Sequence, residues 1–122
     1  MKNIKDFIFE ASKKWSNNTN VNTILNKLFG SPSNWEDEDN TVEVISDYLE
    51  RWLKKVGNPN INQLELYTDW DGDDIPENIL DEFENGEVLY EEKGYSDYFA
   101  VKQTNNLFGA AFIDSNYIVY KK

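Results

Sequence analysis

Six consecutive residues, Asp69-Trp70-Asp71-Gly72-Asp73-Asp74, hold the densest set of groups in the chain that could do chemistry. Carboxylates at the first, third and fifth positions of a turn are the oxygen donors that a hard cation takes, so the spacing invites a calcium reading. An EF-hand loop begun at Asp69 needs Gly at its sixth position and Glu at its twelfth, where this chain has Asp74 and Leu80. No metal site is therefore expected, and a divalent-cation-binding module is only a third reading. Two carboxylates at a defined separation could also hydrolyse a glycoside, but a chain with 23 acids always contains such pairs. The remaining catalytic groups are scarce: there is no His, no Cys and a single Arg. That removes the commonest general base, the best nucleophile and most means of clamping phosphate. No nucleophile elbow, phosphate loop, dinucleotide fingerprint or zinc spacing occurs either. The expectation is a protein that is not an enzyme and uses no cofactor.

What the acids offer instead is a field. The 122 residues carry 23 acidic and 12 basic side chains, a formal net charge of −11. Like charges repel, which excludes nucleic acid and anionic membrane as direct partners and points to a basic protein. The charge is segregated: residues 1–30 sum to +3, 31–60 to −4, 61–100 to −12 and 101–122 to +2. Between Asp69 and Glu92 stand eleven acids and no base. A disordered tail would be the ordinary meaning of such a run. Here Ile75, Ile79, Leu80 and Phe83 interrupt it at helical spacing, and Val88 and Tyr90 follow at strand spacing, so the acids are expected on folded elements. The candidate partner-binding residues are Asp69, Trp70, Asp71, Asp73, Asp74, Glu77, Asp81, Glu82 and Glu84, with Trp35, Glu36 and Asp37 as a second group. Trp70 stands between two aspartates with no apolar stripe to join, as an anchor of an interface does, and Trp35, next to Glu36-Asp37-Glu38-Asp39, is a second and weaker candidate. A buried contact at a helix cap is the alternative for both.

The elements that must position these residues follow from periodicity. A first helix from about Asn3 to Trp15 has Ile4, Phe7, Ile8, Ala11 and Trp15 on one stripe. Val21, Ile24, Leu25 and Leu28 mark a second, stopped at Gly30. A third has two possible starts, Ser33-Asn34-Trp35-Glu36 and Asn40-Thr41-Val42-Glu43, both shaped as capping boxes. The second is preferred because Val42, Ile45, Leu49, Trp52 and Val56 run on from it to Gly57 and Pro59. A short strand is expected within Ile61–Thr68. An acidic helix should then begin with Asp74 as N-cap and Glu77 reaching back, and end at Asn85-Gly86. Beyond it the period falls to 2, giving strands at Glu87–Glu92, Tyr98–Gln103, Leu107–Asp114 and Tyr117–Tyr120. Their short connections favour an antiparallel meander. The fold class is α+β, with N-terminal helices packed on one face of a three- to four-stranded antiparallel sheet. One domain is expected over 1–122, helical to about residue 57, with the acidic helix and the meander over about 62–122.

The first fifteen residues interleave charged and apolar positions, so neither a secretory leader nor a membrane span is expected, and the chain reads as cytoplasmic. The absence of Cys fits a reducing compartment. In its size, its lack of Cys and its stretch DWDGDDIPENILDEFENGE, the chain resembles the small acidic anti-defence inhibitors of phages and mobile elements, the anti-CRISPR and antirestriction proteins. The resemblance is one of class and contains no diagnostic family motif. It implies a partner that is a bacterial defence nuclease, blocked where it binds nucleic acid. The alternative is an immunity protein that neutralises a cognate nuclease toxin by the same physics. Oligomeric state is left open by the sequence.

Overall fold

A computed structural model describes residues 15–30, 39–68 and 75–122. The expected first helix, apart from Trp15, and the earlier of the two starts for the third helix lie outside these residues.

Helix α1 (Thr19–Phe29) opens on Asn18, whose side chain accepts from the Val21 amide, and stops at Gly30. Its stripe of Val21, Ile24, Leu25 and Leu28 is buried as the 3.6-residue period requires. Trp15 packs on this helix, its ring 6.0 Å from that of Phe29, and donates its indole N–H to the Gly30 carbonyl at 2.8 Å. Helix α2 (Asp39–Lys55) starts one residue before the preferred capping box and ends with Lys54 and Lys55 in its last turn, where the helix dipole favours cations. It buries Val42, Ile45, Leu49, Trp52 and Leu53. The side chain of Asn20 bonds both the Pro59 carbonyl and the Ile61 amide, which ties α1 to the segment leaving α2.

The sheet has five strands rather than three or four. They are β1 (Glu65–Thr68), β2 (Glu87–Lys93), β3 (Tyr98–Gln103), β4 (Leu107–Phe112) and β5 (Asn116–Lys121), in the order β1-β5-β4-β3-β2 and antiparallel throughout. The expected meander is β2 to β5. The short strand within Ile61–Thr68 narrows to β1, after a 3-10 turn at Ile61–Gln63, and pairs along β5 with Glu65 opposite Lys121 and Thr68 opposite Ile118.

This topology places the acidic helix. β1 and β2 are opposite edges of the sheet, about 19 Å apart at the usual strand spacing, so the chain between them must cross the sheet. Helix α3 (Glu77–Glu84) makes that crossing on the face opposite α1 and α2. The helices therefore do not share one face. Phe108, Ala110 and Ile118 pack toward α1 and α2, whereas Leu107, Ala111 and Val119 pack with Ile75, Ile79 and Phe83. Alternation along β4 and β5 divides the two cores.

Two further expectations are corrected. The N-cap position of α3 is Pro76 and no side chain caps it, so the helix starts beyond the Asp74-to-Glu77 box. A β-bulge between Val88 and Tyr90 interrupts the period of β2, so that Leu89 and Tyr90 both pack on the first core while Val88 is 50% exposed. The stop at Asn85-Gly86 is as expected, and close packing requires it. A Cβ on Gly86 would lie 2.8 Å from the Gln103 carbonyl oxygen, where the turn into β2 meets the end of β3. No helix among the described residues is long and apolar enough to cross a membrane.

Candidate partner-binding surface

Of the twelve residues singled out in the sequence, the structure describes four. Asp69, Trp70, Asp71, Asp73, Asp74, Trp35, Glu36 and Asp37 lie outside the described residues. Glu77, Asp81, Glu82 and Glu84 all stand exposed on α3, whose other side is anchored by Ile79 and Phe83. Among the described residues, Glu77 and Asp81 make no side-chain hydrogen bond or ion pair. Glu77, Asp81 and Glu84 follow one another at four and three residues, so they rise along one side of the helix in steps of about 6 and 4.5 Å.

An eight-residue helix rich in acids opposes its own dipole at the C-terminal end, where Glu84 sits and no basic residue occurs in the last turn. Lys102 of β3 supplies the missing cation. Its Nζ donates to the Glu84 carbonyl at 3.3 Å and lies 5.9 Å from the centre of the Phe83 ring.

The strands extend the acidic surface, and a common device holds its carboxylates. Tyr117 donates its hydroxyl to Glu84 at 3.0 Å, Tyr98 donates to Glu91 at 3.1 Å, and Tyr67 donates to Glu65. Tyr67, Tyr98 and Tyr117 pack on the second core, beneath and beside α3. Thr104 adds a hydroxyl to Glu82 at 2.7 Å. Each donor is uncharged, so it fixes a carboxylate without cancelling its charge. Cations do much less here: among the described residues the one ion pair is Lys93–Glu91 at 3.6 Å. Beside Glu84 a shallow hollow of about 380 Å³ is walled by Tyr98, Tyr117, Lys102 and Asp114.

Glu65 lies outside the acidic run from Asp69 to Glu92, and Glu91 lies within it but is not among the candidate partner-binding residues. A local signal existed for one of them. Residues two apart on a strand share a face, so Glu65-Leu66-Tyr67 can be read as a carboxylate beside its donor. Glu91 and Tyr98 meet only through the pairing of β2 with β3. Tyr95, in the turn after β2, is also fully exposed and stands next to no core position.

These contacts make alkaline pH a probe of the surface. The hydrogen bond to Glu65 raises the Tyr67 phenol above its usual pKa, burial followed by the bond to Glu91 raises Tyr98, and burial raises Tyr120. A phenol raised by folding keeps its proton where the unfolded chain has released it. Its contribution to stability is therefore complete below pH ~10 and lost as pH climbs through the folded value. A tyrosinate absorbance titration should show part of the seven tyrosines ionising late, together with a fall in stability above pH ~10. Tyr98→Phe should flatten that fall. An unchanged slope would show that folding does not raise the Tyr98 phenol, by burial or by its bond to Glu91.

Among the described residues no three Asp, Glu, His or Cys side chains gather as a metal-binding set. No family model, no curated protein and no solved structure matches this chain, so its chemistry is read from its own residues.

Proposed function

We propose that the chain is an acidic protein inhibitor that occupies the basic nucleic-acid-binding surface of a bacterial defence nuclease, in the manner of anti-CRISPR and antirestriction proteins. One observation carries the reading: Glu82 and Glu84 of α3 and Glu91 of β2 are held by uncharged donors, and the exposed carboxylates of this surface are left almost without cations, in a chain of net charge −11. A folded face of this kind is costly alone, because its charges repel. It gains when Lys and Arg side chains that ordinarily meet phosphates meet it instead. Duplex DNA carries one charge per ~1.7 Å of axis, so the four carboxylates on α3 are too few by themselves. Glu65 and Glu91 widen the array on the same side of the sheet.

The test is capture of a basic nucleic-acid-binding protein from a bacterial host, followed by competition with that protein's own nucleic acid. Capture should weaken as salt is raised, because the attraction is screened. The triple variant Glu77→Gln, Asp81→Asn, Glu84→Gln should bind at least about tenfold more weakly, the equivalent of about 1.4 kcal/mol. The identity of the captured protein separates a defence nuclease from a toxin nuclease. Recovery of no basic nucleic-acid-binding protein, or capture indifferent to the triple variant, would make the reading wrong.

A further inference from the structure

A second concave site lies between the last turns of α2 and the ends of β2 and β3, bordering the acidic surface at Asn85 and Thr104. It is a cleft of about 430 Å³, within the range of small-ligand sites. Tyr48, Arg51 and Lys55 form one wall, at the three- and four-residue spacing of a single helix stripe. Glu87, Gln103 and Asn105 form the other.

Both signs of charge line this cleft, yet they do not pair with each other. Among the described residues neither Arg51 nor Lys55 makes an ion pair with Glu87. Each charge is held instead by a neutral neighbour. The Arg51 guanidinium lies over the Tyr48 ring, 5.2 Å from its centre. Lys55 donates to the Asn105 side-chain oxygen at 2.6 Å, and Gln103 donates to one oxygen of Glu87 at 3.2 Å. Hydrogen-bonding capacity is left over on both walls. Arg51 has five N–H donors, Lys55 three and a carboxylate two acceptor oxygens.

Two cations facing one carboxylate are the charge complement of a ligand with two carboxylates and one ammonium. We infer that the cleft binds an acidic α-amino acid, with the ligand's carboxylates on Arg51 and Lys55 and its ammonium on Glu87. A fork-shaped guanidinium presents paired N–H groups to a carboxylate, and the flat Tyr48 face behind it limits how far the fork can turn. A simple anion would leave Glu87 as a repulsive neighbour. This inference is independent of the proposed inhibitor activity, because none of these residues lies on α3.

The experiment is calorimetric titration of the full chain with L-glutamate and L-aspartate, repeated with N-acetyl-L-glutamate, which lacks the ammonium. Saturable binding of at least one free amino acid is expected, with a dissociation constant at or below about 1 mM. The N-acetyl compound should bind about tenfold or more weakly, because it loses a charged hydrogen bond. Arg51→Gln should abolish binding of both. Glu87→Gln should weaken binding of the free amino acid and bind the N-acetyl compound as well as or better than the parent, because the like charge facing it is removed, a pattern that loss of folding would not produce. Absence of saturable binding to about 10 mM, or equal binding of the acetylated and free compounds, would overturn the assignment.

Discussion

Replacing Gly109 by alanine is expected to destabilise the protein by about 3 kcal/mol or more, among the largest effects of any single added methyl group. Gly109 is in the middle of β4, the middle strand of the sheet, opposite Val119 on one side and Lys102 on the other. A Cβ built there would lie 2.1 Å from the Ile118 carbonyl oxygen and 2.8 Å from the Val119 Cα. Both are backbone atoms of β5, so no side-chain rotation relieves the clash. The strands must part, and parting them breaks ladder hydrogen bonds at the place where both cores share the sheet. Denaturant unfolding of Gly109→Ala should show the loss as a lowered midpoint, or the variant should fail to fold. Gly94→Ala is the control: its Cβ would come no closer than 3.4 Å to the Asp97 Cβ, an ordinary contact. Its midpoint should stay within about 0.5 kcal/mol of the parent. A Gly109→Ala midpoint equally unchanged would show that β4 and β5 do not approach so closely.

The strand that makes Gly109 so sensitive also shows what the sequence could disclose and where it stopped. Helix α2 was legible because Val42, Ile45, Leu49 and Trp52 keep one period and Lys54, Lys55 and Gly57 mark its end. Four strands of the sheet were legible from the change of period after Gly86. The second layer was not read, although β4 hints at it. Leu107 to Phe112 is apolar throughout, and a strand with no polar side is one covered on both faces. β1 had only weak local markers, since it is four residues long and half exposed. Its place beside β5 is a pairing across some fifty residues, for which no local pattern exists. The acidic surface divides in the same way. The number of acids on α3 could be counted in advance, and Glu65 with Tyr67 could be matched at a spacing of two. Glu84 finds Tyr117 at a separation of 33 residues, and only the folded sheet brings them together. The bulge at Leu89 had no Gly or Pro to announce it.

Phe83→Ala should cost about 3–5 kcal/mol and should abolish partner capture while leaving every charge in place. Phe83 is fully buried, meets the Tyr117 ring edge-on at 6.1 Å and carries Lys102 near its ring. α3 has eight residues, shorter than a helix that holds its shape alone in water. It therefore stays helical by docking, and the docking rests on Ile79 and Phe83. Once that contact is lost, Glu77, Asp81 and Glu84 no longer stand in a row, and Tyr117 loses the carboxylate it orients. The charge-neutralising triple variant makes the opposite change. It keeps the core and relieves self-repulsion, so its stability should equal or slightly exceed that of the parent while its capture falls. The two variants separate charge from placement when capture is measured at a temperature where both remain folded by circular dichroism. If Phe83→Ala then captures the partner as well as the parent does, net acidity alone is sufficient. The idea that α3 presents its carboxylates in a fixed array would have to be abandoned.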